Sequence, residues 1–73
     1  MTKEDELKKV NIELLKIKQG FIPRFGSKED LTIIQWGNKM KDLKSKNKLK
    51  IEEEINIKKN IIYFLKKRNE NAG

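Results

Sequence analysis

Lys44-Ser45-Lys46-Asn47-Lys48 is the stretch on which the fold turns. Upstream of it, Ile33, Trp36, Met40 and Leu43 recur at the spacing of one helical face, and downstream Ile51, Ile55, Ile62 and Leu65 continue the stripe. If the chain runs straight through these five polar residues, the two stripes join in one helix of about forty residues. Neither Gly nor Pro occurs between Asn38 and Asn71, so no breaker obliges a turn. If the apolar gap breaks the helix, a second helix at 28–45 is followed by a third at 49–68. Globular helices average about 11–12 residues, which favours the break, placed near Ser45–Lys48. Both readings are all-α: a small three-helix bundle, or a helical hairpin with one long arm that forms a homodimer. In the second, Asn47 falls in the seam, where a polar residue sets register.

Working outward towards the N-terminus, Ser27 followed by Asp30 resembles a capping box that opens the second helix. Before it lies a loop at 20–27, punctuated by Gly20, Pro23 and Gly26. Thr2 and Asp5 form a similar box for a first helix at 1–19 that stops at Gly20. Leu7, Val10, Leu14 and Ile17 supply its apolar face; Leu15 widens the stripe and Ile12 falls off it. Glu4, Asp5 and Glu6 crowd the first turn, with Lys16 and Lys18 in the last, as the helix dipole prefers. In the other direction, Ile61-Ile62-Tyr63-Phe64-Leu65 is apolar nearly all round, which marks the third helix as the central element. Residues 69–73 form a frayed tail, and 1–73 make one small domain.

Composition narrows the function. The 73 residues carry 18 Lys or Arg against 11 Asp or Glu, a formal charge of +7. Sixteen of the cations are Lys, with Arg24 and Arg68 the exceptions. Lys is a hydrated point charge without the rigid fork that reads bases, so plain phosphate attraction is expected over sequence reading. With 10 Ile and 7 Asn the chain resembles the product of an AT-rich genome. A chain this short buries roughly 60% of its unfolded surface, which leaves a stability of only a few kcal/mol. No run of apolar residues is long enough to span a bilayer, and the acidic start lacks the apolar core of a signal peptide. A cytoplasmic location is the expectation.

Catalysis finds few residues to work with. His and Cys are absent, which removes thiol nucleophiles, Cys/His metal sites and the ordinary general base. Glu52-Glu53-Glu54 is the one acidic cluster, and consecutive positions fan around a helix instead of converging. No Gly-rich phosphate loop or calcium loop is present. No enzyme, no metal and no cofactor is expected.

The strongest functional signal is basic. Lys39, Lys41, Lys44, Lys46, Lys48 and Lys50 against Asp42 alone place a charge of +5 in residues 38–50. On a helix Lys39, Lys46 and Lys50 fall on one side and Lys41, Lys44 and Lys48 on the other, flanking Met40 and Leu43. Such a cluster meets the phosphates of nucleic acid, or another polyanion, from several directions without base specificity, and an acidic protein surface is the other partner it fits. Lys66, Lys67 and Arg68 are added to it as candidate nucleic-acid contacts. The bland alternative is a solvating lysine-rich face. A helix-turn-helix is not supported, because three Glu at the start of the following helix would repel phosphate.

The loop carries a second signal. Phe21, Ile22, Arg24 and Phe25 either cap the core between the first two helices or anchor a partner protein. Gln19, Ile22 and Phe25 resemble the sliding-clamp-binding peptide, Gln-x-x-aliphatic-x-x-aromatic, with Gly26 standing where a second aromatic residue would follow. That resemblance implies a partner in replication. Two main function classes emerge: a small basic protein acting on nucleic acid or its machinery, and a protein-binding regulator of phage or mobile-element type, an inhibitor docking on a host enzyme. A structural subunit of a larger complex is a third.

Overall fold

The computed structural model describes residues 2–71 and resolves the central ambiguity in favour of the break. Three helices form, α1 (Lys3–Lys18), α2 (Lys28–Ser45) and α3 (Ile51–Asn71), and no strand occurs among the described residues. The turn after α2 is closed by its own backbone. Lys48 N–H donates to the carbonyl of Leu43 at 2.9 Å and Asn47 N–H to that of Lys44 at 3.1 Å. These are the two bonds of a Schellman motif, and Asn47 takes the left-handed position with φ 56°. Asn is the non-glycine residue that tolerates this conformation best, so Asn47 itself ends the helix. It does not sit in a dimer seam, and the long-armed hairpin does not form.

The other boundaries follow local chemistry. Thr2 Oγ accepts from Asp5 N–H at 3.2 Å, and Ser27 Oγ accepts from Asp30 N–H at 3.3 Å, so both expected N-caps are present. After α1, Phe21 N–H bonds the Lys18 carbonyl at 2.9 Å across Gln19 and Gly20. With Gln19 at φ −58°, ψ 124° and Gly20 at φ +75°, this is a type II turn, whose third residue needs glycine. The third helix starts at Ile51, two residues later than expected: Lys48 to Lys50 lie outside any helix and Leu49 packs against the core. Its end lies beyond expectation too: residues 69–71 are helical, there being no breaker before Gly73. Met1, Ala72 and Gly73, which the expected first helix and tail include, lie outside the described residues.

The third helix is the centre of the molecule. Both α1 and α2 pack on α3, and their backbones do not meet each other. Ion pairs Lys3–Glu52, Glu6–Lys59 and Glu13–Lys66 show that α1 runs parallel to α3. The tight turn makes α2 antiparallel to it. Ile55 and Ile62 meet Val10 of α1, while Ile57, Ile61 and Leu65 meet Ile33 of α2. Leu14 and Ile17 touch both clusters, so the two halves of the core join at the C-terminal end of α3. Towards the other end they part. The radius of gyration, 12.7 Å, exceeds the ~11 Å expected of a closely packed chain of this length, as an open arrangement requires. Leu15 does not widen the core stripe as expected: it is 77% exposed, on the far side of α1 with Ile12.

Candidate anion-binding surface

Where the helices part, α3 turns a polar pair towards the gap. Lys58 Nζ reaches Glu54 Oε2 at 2.7 Å on its own helix and Asn11 Oδ1 at 2.5 Å on α1. The pair is largely covered, with side-chain exposures of 14% and 25%. In front of it lies an open cleft of about 560 Å³, lined by Met40, Lys41, Lys44, Asn47, Leu49, Glu54 and Lys58. Met40 and Leu49 give it an apolar floor. Glu54 is already matched by Lys58, so Lys41 and Lys44 leave the cleft net positive.

The expected lysine cluster does not stay on one helix. Lys39, Lys41 and Lys44 belong to α2, and Lys46, Lys48 and Lys50 to the turn, so the two opposed lysine stripes of a continuous helix are replaced by a charged corner. Lys46 pairs with Asp42 at 3.1 Å in an exposed i, i+4 contact, and Lys39 lies 5.2 Å over the ring of Trp36. Among the described residues, Lys41, Lys44, Lys48 and Lys50 have no charged partner. They are also exposed to solvent. By contrast Lys3, Lys58, Lys59, Lys66, Arg24 and Arg68 are all matched to carboxylates.

The three C-terminal candidates lie elsewhere. A 21-residue α3 is roughly 30 Å long, which puts Lys66, Lys67 and Arg68 at the opposite end from the turn. Lys67 is exposed and Lys66 holds Glu13 at 2.9 Å. Arg68 is committed to the interior. Its Nε stands 2.8 Å from Asp30 Oδ1, its Nη2 donates to the Ile22 carbonyl at 3.0 Å, and its guanidinium stacks 4.9 Å over Phe21. Asp30 is 1% exposed and also accepts from the Arg24 amide at 2.7 Å. Its carboxylate thus holds the loop instead of closing the expected capping box. Burial pushes the Asp30 carboxyl up, but the Arg24 amide, Arg68 and Ser27 outweigh it and hold it below the usual carboxylate range.

The loop residues divide in the same way. Phe21 is half-buried against the core, as the capping alternative expected, and Arg24 Nε lies 3.6 Å from Asp30. Ile22 and Phe25 point outwards, 73% and 108% exposed. Asn47, Leu49, Glu54 and Lys58 complete the cleft, yet none was a candidate from sequence. Asn47 carried the one readable signal, as a helix-stopping residue beside Lys46. No three His, Cys, Asp or Glu residues come together to hold a metal, and no helix is long and apolar enough to cross a membrane, among the described residues. Compared with protein-family models, curated proteins and solved structures, the chain matches none.

Proposed function

We propose that this is a non-enzymatic protein that binds the phosphate backbone of nucleic acid through the corner between α2 and α3. The observation that carries the reading is the concentration of four exposed lysines without carboxylate partners, Lys41, Lys44, Lys48 and Lys50, within ten residues at one corner of the molecule. Phosphate contact by Lys is electrostatic and sequence-independent, because each neutralised phosphate releases counterions. The action is occupancy or positioning, with the exposed corner leading. Arg68 has no part in it, and Lys66 and Lys67 are too distant to join the same contact.

The test is fluorescence anisotropy of a labelled random duplex, titrated at several salt concentrations. With four phosphates neutralised, log K should fall against log salt with a slope of about −3.6. Replacing Lys41, Lys44, Lys48 and Lys50 by Gln should flatten that slope to near zero and leave the far-UV circular dichroism unchanged. An unaltered slope in the quadruple variant, or no binding by the wild type at low salt, overturns the reading. The alternative, a regulator that docks on another protein, draws on the outward Ile22 and Phe25.

A further inference from the structure

The cleft between α2, the turn and α3 is lined for more than phosphate. At about 560 Å³ it falls within the ~300–1,000 Å³ of sites that take small molecules. Its lining is mixed in chemistry. Met40 and Leu49 offer apolar contact, Lys41 and Lys44 are exposed cations, and Glu54 with Lys58 is a largely covered ion pair. A phosphate alone would meet the lysines and gain nothing from Met40 and Leu49. A wholly apolar ligand would strip water from Glu54 and Lys58 and give nothing in return. The two apolar residues are also each bracketed by lysines, as Lys39-Met40-Lys41 and Lys48-Leu49-Lys50. Apolar contact thus recurs between cations, once on α2 and once in the connection before α3.

A nucleotide within a strand has the matching pattern: a ring apolar on its faces and polar at its edge, with a phosphate on either side. In a duplex the faces are stacked and the edges paired, so only an unpaired base presents both. We propose that the cleft takes one unpaired base of a single strand, with its flanking phosphates on Lys41 and Lys44. The inference rests on the phosphate reading above and narrows it to strands that expose bases. The ring lies against Met40 and Leu49, where a polarizable thioether is a favourable neighbour for an aromatic face. Glu54 and Lys58 supply an acceptor and donors for the base edge. Lys58 already matches Glu54 at 2.7 Å and also reaches Asn11, so the carboxylate brings no uncompensated charge against the incoming strand. Every base has an apolar face, so the cleft separates unpaired from paired bases and does not read sequence.

Fluorescence anisotropy separates the base from the phosphates. A labelled thymidine strand is titrated with the full chain beside an abasic strand of the same length and charge, at several salt concentrations. Both should show the same salt slope, while the thymidine strand binds about three- to tenfold more tightly. Met40→Gln, close to Met in size, should erase most of that advantage and leave the slope and the circular dichroism unchanged. Should that variant lose helix, the comparison of the two strands on the wild type decides the matter alone. Equal affinity for both strands, with a steep salt slope, overturns this inference and leaves the phosphate reading standing. A folded Met40→Gln variant that keeps the full preference also overturns it. Absence of binding by either strand at low salt overturns both readings.

Discussion

At the residue scale, Asp30 has the largest structural consequence of any single side chain. Two different segments end on its carboxylate, the loop through the Arg24 amide and α3 through Arg68, while its own amide donates to the Ser27 hydroxyl at the helix start. Removing one partner of a buried pair leaves the other charge without compensation. Asp30→Asn should therefore cost about 3 kcal/mol, measured by urea unfolding followed through circular dichroism. The pH dependence has a definite sign. Because the folded-state value lies below the unfolded one near 3.9, the stabilisation is complete above about pH 4. It is lost as pH falls further through the folded value. Wild type should thus lose stability below pH 4 more steeply than Asp30→Asn, a difference that urea melts at successive pH values will show.

At the element scale, the stop after α2 is a one-residue device. Asn47 stands at φ 56°, where a Cβ is crowded and only Gly is free of penalty. Asn47→Gly should keep or slightly raise the melting temperature, whereas Asn47→Ala should cost about 1 kcal/mol. If Asn47→Ala instead left the melting temperature unchanged, the turn would not depend on this residue. The break was legible from the apolar gap at Lys44 to Lys48, but the two-residue shift in the start of α3 was not. Periodicity counts Leu49 as helical, whereas in the fold it lies in the connection before α3 with its side chain packed against the core. Phe21 and Phe25 make a similar point. Both are Phe in one loop, and nothing in their spacing told which ring would enter the core.

At the scale of the whole molecule, stability is concentrated on one helix. Leu65 is 1% exposed at the point where α1 and α2 converge on α3. Leu65→Ala should cost about 2–5 kcal/mol, enough to unfold a domain of this size, whereas Leu15→Ala on the outer face should stay within about 0.5 kcal/mol. Circular dichroism melts of the two variants make the comparison directly. The exposed ion pairs between α1 and α3 add little by contrast, each worth about 0–1 kcal/mol in water. The cleft lies between α2, the turn and α3. Lys58 and Glu54 put a largely covered ion pair at its edge, and Lys58 also ties α3 to Asn11 of α1.

Sequence alone determined the helical class, the caps at Thr2 and Ser27, the central place of the third helix and the concentration of charge at 38–50. These are local properties: period, hydroxyl position and net charge act between residues close along the chain. Tertiary structure decided which charges stay available. Lys41, Lys44, Lys48 and Lys50 have none of the 11 carboxylates of the chain brought within reach, whereas Arg68 meets Asp30 across 38 positions of sequence. Pairing between distant residues depends on how helices dock, and that is set by the summed packing of the core.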